Sequence, residues 1–119
     1  MKNQKVKNIS YLCKSEFNLS DSAQKEVVIL PQGAEIISVN LELSKAHAGG
    51  NVSIGLDEQT NYFLNAINAA TAGFSQSSKL ATCAKQSAIT AKMVGFGDTE
   101  EKGNLRVMYF LPSEILVEY

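Results

Sequence analysis

Between Glu35 and Lys45 the chain alternates with period two. Ile37, Val39, Leu41 and Leu43 share one parity, and Ser38, Asn40, Glu42 and Ser44 hold the other. Successive side chains of an extended strand point to opposite faces, so this pattern specifies a strand with one greasy and one wet side. A chain built on such a strand must find a second layer to cover it. The pattern stops at Ala46-His47-Ala48-Gly49-Gly50-Asn51, where two glycines and an Asn suit a reversal. It resumes with Val52, Ile54 and Leu56, and the spacing predicts a β-hairpin across the reversal.

The same logic predicts a second hairpin. Ile89, Ala91 and Met93 alternate with Thr90 and Lys92, then Gly95, Gly97 and Asp98 open a charged stretch closed by Gly103 and Asn104. Leu105, Val107, Tyr109 and Leu111 take up the alternation again. Met108 and Phe110 lie on the opposite parity, so this strand reads as central or as covered by a partner. Val6–Leu12 is a further strand. Val27–Leu30, an unbroken apolar run, reads as a strand covered on both faces. Leu30-Pro31-Gln32-Gly33 fits a type I turn. Ile115–Tyr119 reads as a last strand after a turn at Pro112-Ser113. Six to eight short strands punctuated by Gly, Pro and Asn define an all-β, antiparallel sandwich, jelly-roll-like, as one domain over residues 1–119.

One segment departs from the pattern. Phe63, Ala66, Ile67 and Ala70 fall on one face of a helix, which predicts a short helix over 60–72, capped by Asp57 or Thr60 and ended at Gly73. Ser75–Gln86 then reads as a long loop with a short strand around Leu80–Cys83, a connection suited to binding or assembly.

Composition narrows function. Eleven basic against twelve acidic residues leave a net charge of −1, without the basic footprint of a nucleic-acid binder. Lys2, Lys5, Lys7 and Lys14 form a basic N-terminal stretch, but the aromatic residues do not interleave with basic ones as on an RNA-binding sheet. The lysines also begin like a signal peptide, yet Ser10 and Lys14 interrupt the apolar residues Ile9, Tyr11, Leu12 and Cys13. Synthesis in the cytoplasm, with no leader and no membrane span, is the expectation. Cys13 and Cys83 form no CxxC pair and read as reduced thiols, although spacing alone leaves a disulfide open.

Chemistry finds little support. His47 is the single histidine, lies in a Gly-rich turn, and has neither a GxSxG nucleophile nor an orienting acid in the sequence. Asp57-Glu58 and Glu100-Glu101 are adjacent pairs that an extended chain splits between faces. Asp98–Glu101 lacks the spacing and closing Glu of a Ca²⁺ loop. Gly95-Phe96-Gly97-Asp98 has no third glycine and no following helix, so it is no dinucleotide fingerprint. No catalytic, cofactor-binding or metal residue is therefore assigned, and no cofactor is expected. What remains is a β-rich chain, 19% charged, with apolar residues on both faces of a strand. That combination suits a protein that buries surface against copies of itself. A glycan- or receptor-binding module is the alternative, for which Asn61, Tyr62, Asn65 and Asn68 supply suitable side chains.

Ile29-Leu30-Pro31-Gln32-Gly33-Ala34-Glu35-Ile36-Ile37, the alternating Val39, Leu41 and Leu43, the turn Ala46–Gly50, Val52-Ser53-Ile54-Gly55, then Tyr62-Phe63-Leu64 and Ala72-Gly73 follow one another in that order. This succession resembles small structural proteins of tailed phages and prophages. The resemblance implies a non-catalytic virion component, a β-sandwich that decorates a capsid or belongs to a neck or tail, with itself and other virion proteins as partners. It carries over no catalytic residue.

Overall fold

The computed structural model describes the backbone of residues 3–118 and the side chains of residues 10–111. Among the described residues every regular element is a strand: β1 (Asn3–Asn18), β2 (Ser22–Leu30), β3 (Glu35–Leu43), β4 (Asn51–Leu56), β5 (Gln59–Asn68), β6 (Gly73–Gln76), β7 (Ala81–Thr82), β8 (Ser87–Val94) and β9 (Lys102–Glu118). They form two antiparallel sheets. One has the order β1-β9-β3-β6, with β7 also on β3; the other has the order β2-β8-β4-β5. The pairings are nested: β1 with β9, β2 with β8, β3 with β6 and β7, β4 with β5. The chain is thus a long hairpin wound on itself, and β3 on β9 and β4 on β8 close the roll.

The core lies between the sheets. From the first come Phe17, Ile36, Val39, Leu41, Leu43, Leu105 and Val107, from the second Val28, Leu30, Val52, Ile54, Ile89, Ala91 and Met93, all buried. Two-residue alternation builds this interior, as the sequence implies, but it is interrupted. A register shift between Ile36 and Ser38 puts Ile36, not Ile37, into the core. In β2 only Val28 and Leu30 are buried while Ile29 is 51% exposed, so the apolar run 27–30 is covered on one face.

Both expected hairpins are corrected. Their strands exist, but β3 and β4 lie in different sheets, as do β8 and β9. Ser44–Gly50 and Gly95–Glu101 are arches that carry the chain from one sheet to the other. Both exceed the roughly 2–5 residues of a hairpin loop. The arches are pinned by backbone hydrogen bonds: His47 N–H donates to Ala69 O (2.6 Å), and Asp21 N–H to Gly97 O (2.8 Å). Asp21 Oδ1 in turn accepts from Phe96 N–H (2.8 Å). The turn at Pro31 is displaced by one residue. Ala34 N–H donates to Pro31 O (3.2 Å), and Gly33 takes the third position with φ 92°, where a type II turn needs glycine.

The short helix over 60–72 is also corrected: these residues form β5 and the turn after it. Pairing of Val52 with Ile67 but of Ile54 with Leu64 leaves one extra residue in β5, and pairing of Leu56 with Gln59 leaves more. Ala66 takes φ 48° at the first bulge, and its N–H donates to Ser53 Oγ (2.8 Å). The bulge inserts a residue between Phe63-Leu64 and Ile67, and this converts a strand's period into one that imitates a helix. Asp57 is no helix cap but a turn residue, φ 52°, in the tight β4–β5 hairpin. Gly73 opens β6 instead of ending a helix. Leu80–Cys83 does contain the short strand β7, and β6 takes the first residues of the expected loop. Pro112-Ser113 is no turn, because β9 continues through it with Asn8 opposite Pro112 and Lys7 opposite Ser113. Beyond Phe110, β9 has no β3 partner, and proline's missing donor is tolerated on such a one-sided strand.

Two outcomes follow. At Gly55, a Cβ would stand 2.7 Å from Thr60 Cα and nearer still to the Gln59 carbonyl oxygen, both backbone atoms that cannot swing away. Gly55→Ala should therefore cost about 3 kcal/mol or more in urea unfolding, while Ile54→Val in the same strand should cost about 1. Cys83 is a free thiol, 1% exposed, whose backbone bonds Gly33 and Ala34. Burial chiefly pushes its ionisation above the ordinary 9.0, Asp57 and Glu35 adding to this and a hydrogen bond with Ser87 opposing it. The unfolded thiol then loses its proton first, so stability present below pH ~9 falls as pH rises past it. Unfolding midpoints at pH 8 and pH 10 should differ less for Cys83→Ala than for the parent chain.

Candidate interaction surface

The side chains singled out for chemistry do not converge. His47 is half-buried in the β3–β4 arch, its ring 4.9 Å from that of Phe96, with Nδ1 buried and unpartnered. Asp57 Oδ1 accepts from Ala88 N–H (2.9 Å), which ties the β4–β5 turn to β8. Asp98 and Glu100 are exposed in the β8–β9 arch. Among the described residues no group of three His, Cys, Asp or Glu is placed to hold a metal ion, and no helix is long and apolar enough to cross a membrane. A depression of about 680 Å³ lies over the outer face of the second sheet and is lined by Gln24, Glu26, Leu56, Glu58, Lys85 and Thr90 among others. It brings together no nucleophile and base.

The glycan platform is not free. Tyr62 gives its hydroxyl to Leu80 O (2.7 Å), and Lys79 Nζ covers its ring at 5.6 Å from the centroid. Asn68 Oδ1 caps the following turn by accepting from Ala70 N–H (2.8 Å). Asn61 and Asn65 are exposed, and the Tyr62 ring beside them in sequence packs edge-on against Phe63 at 4.8 Å between centroids.

The outer face of the first sheet is different. Residues directly opposite one another across an antiparallel pair share a face, so the register lines them up in rows. Near the arches the rows are polar: Glu16, Asn104 and Glu42 in one, Lys14, Arg106 and Asn40 in the next. Arg106 Nη1 donates to Glu42 Oε1 (2.6 Å) across the β9–β3 seam. Gln76 Nε2 donates to Ser38 Oγ (2.9 Å), and Asn40 Nδ2 to Gln76 Oε1 (3.2 Å), which hold β6 on β3. Away from the arches apolar side chains enter the rows. Leu12, Met108 and Ser38 form one row, and Phe110 follows in the next between Ser10 and Glu35. Leu12 is 63% exposed and Met108 37%. Side chains of this kind gain roughly 1.5–3 kcal/mol each when covered. On the other face of the same ribbon Tyr11 and Tyr109 stack with centroids 5.3 Å apart.

From this end β1 and β9 leave the sandwich together. β3 pairs with β9 only as far as Phe110, whereas β1 continues alongside β9 to the Asn3–Glu118 pair. The result is a two-stranded arm, with the eight residues Leu111–Glu118 spanning about 26 Å at ~3.3 Å per residue. It accounts for the long axis of 61 Å against 24 and 21 Å, and for a radius of gyration of 16.6 Å. A compact domain of this length would measure about 13.5 Å. Sequence reading marks Met108 and Phe110 as apolar on the second face but not the arm, because nothing in an alternating strand says where its neighbour ends.

No family model matches the chain, and no curated protein matches it. Solved structures do. A chain of the acidic stable capsid structure of Helicobacter pylori bacteriophage KHP30 is 37% identical, with a TM-score of 0.82, and the alignment covers 99% of this chain and 100% of that one. A chain of the cyanophage Pam1 capsid asymmetric unit shares the fold at 19% identity and a TM-score of 0.66, covering 88% of this chain and 86% of that one. Identity of this order over the whole length of both chains, together with the antiparallel two-sheet fold, means that the chain belongs to a family of phage virion structural proteins that includes the matched KHP30 capsid chain.

Proposed function

We propose that the chain is a non-catalytic subunit of a phage capsid, one that decorates the shell and not a neck or tail, and that works by self-association and contact with other virion proteins. The full-length likeness to a capsid chain carries this reading. Nested pairing in the orders β1-β9-β3-β6 and β2-β8-β4-β5 supports a jelly-roll reading of the sandwich, an architecture used by viral capsid domains. The whole of residues 1–119 acts as one β-sandwich domain, made in the host cytoplasm and carried in the virion. The apolar rows around Leu12, Met108 and Phe110 supply the surface that contact with a shell protein would bury. A non-catalytic role fits the dispersal of His47, the paired carboxylates and the two thiols over separate parts of the fold.

The test is binding to capsids of the same phage that lack this subunit. Saturable binding at a fixed number of copies per particle is expected. Leu12→Asp with Met108→Asp should weaken it at least tenfold, since about 1.4 kcal/mol corresponds to a factor of ten and each side chain contributes that much or more on burial. The melting temperature should hold, because both residues lie outside the core. Absence of binding by the parent chain would overturn the capsid role.

A further inference from the structure

The depression on the outer face of the second sheet has a built wall and an unsatisfied floor. Glu26 on β2, Thr90 on β8 and Gly55 on β4 lie opposite one another across two seams, so they form one row on that face. Where a side chain at Gly55 would stand, the Gln59 carbonyl oxygen presses against the sheet, so the β4–β5 turn leans over the row and walls it. The turn is held there. Asp57 N–H donates to Ala88 O (2.8 Å), Asp57 Oδ1 accepts from Ala88 N–H (2.9 Å), and Gln24 Nε2 reaches across from β2 to donate to Asp57 O. Thr90 lines the enclosed space, is 3% exposed, and its buried hydroxyl has no hydrogen-bond partner among the described residues. Buried polar groups are as a rule paired, so an orphan that lines a depression points to a partner from outside the chain. Glu26, Glu58 and Lys85 stand exposed around it and form no ion pair among the described residues.

We propose that this depression is a binding site for a guanidinium group. Charge selects a cation, since Glu26, Asp57 and Glu58 line the space against Lys85 alone. A metal ion is poorly matched, because among the described residues no three His, Cys, Asp or Glu are placed to ligate one. A sugar is poorly matched too, because no aromatic ring lines the depression. A guanidinium is planar and weakly hydrated, so it tolerates the apolar Leu56 and Ala88, and its five N–H donors need several acceptors at once. Those acceptors are the Glu26 and Glu58 carboxylates, the Thr90 hydroxyl, and Gln24 Oε1, whose amide is already oriented by its bond to Asp57. An ammonium brings only three donors to the same set. The volume, about 680 Å³, falls within the roughly 300–1,000 Å³ of small-ligand sites. The site lies on the second sheet, away from the apolar rows of the first, so it stands independently of the capsid reading.

Methylguanidinium titrated into the full chain at low salt, followed by backbone amide shifts, tests this. Saturable shifts confined to residues 24–26, 56–59 and 85–90 are expected, with a Kd of roughly 1 mM. Glu26→Gln with Glu58→Gln should weaken binding about tenfold, because charge-assisted bonds are the strong ones. Lys85→Ala should strengthen it about threefold by removing the competing cation. Thr90→Val keeps the shape and deletes the acceptor. It should weaken binding about threefold while the melting temperature holds or rises, since the hydroxyl removed is unpaired. A merely structural threonine would leave the affinity alone. Methylammonium should bind at least about threefold more weakly than methylguanidinium. An arginine-containing peptide that binds about tenfold tighter than methylguanidinium would put the group on a protein segment. Equal affinities would make it a free solute, and either result supports the site. Absence of saturable shifts overturns the proposal. So does an affinity unmoved by loss of the two carboxylates or of the Thr90 hydroxyl, or equal binding of methylammonium.

Discussion

The pairing of the first strand with the last holds the rest of the structure in place. β9 sits between β1 and β3, and its Leu105 and Val107 are fully buried at the centre of the first sheet. Without β9, β1 has no partner in the sheet and the inner face of β3 loses its neighbour on that side. The contact joins residues near the two ends of the chain, and of the pairs nested inside it β2 with β8 and β3 with β6 span long loops as well, while β4 with β5 is a tight hairpin. Loop closure has to come before these contacts stabilise anything, so this topology belongs with the slow-folding ones. The cooperative unit is then the whole sandwich, since, β4 with β5 apart, the strands that pair are not adjacent in sequence.

Local patterning explains why strands were legible in the sequence and partners were not. Alternation in 35–45 and 89–93 reports a face to be buried, and that face is buried. It is silent on whether the next strand lies beside it or across from it, because a hairpin and an arch both present two alternating runs and a glycine-containing turn. Length was the available discriminator: Ser44–Gly50 is too long for the tight turn that Asp57-Glu58 makes. The mistaken helix has a related origin. Two bulges in β5 add residues to one strand of a pair, and in sequence an added residue cannot be told from a change of period.

The candidate surface was half legible for the same reason. Met108 and Phe110 on the second parity of β9 announce a strand with two apolar faces. Leu12 joins them only through the register that places it opposite Met108. The arm needs a further fact, that β3 stops pairing at Phe110 while β1 does not. The resemblance between Ile29 and Gly73 reached the virion class by another route, through the order of turns and strands, and those residues lie in the body of the sandwich away from the arm.

Division of labour between the two ends follows from where hydrogen bonds are satisfied. At the arch end the connections bond to one another, Leu19 to Glu101, Asp21 to Gly97, His47 to Ala69, so the backbone is closed on itself and offers little to a partner. At the arm end two strands run on with one edge each unpaired, and an open backbone edge is the strongest invitation to another strand that a sheet can make. A two-stranded ribbon is marginal in water by itself, so a strand added at either open edge would offset part of the cost of ordering it.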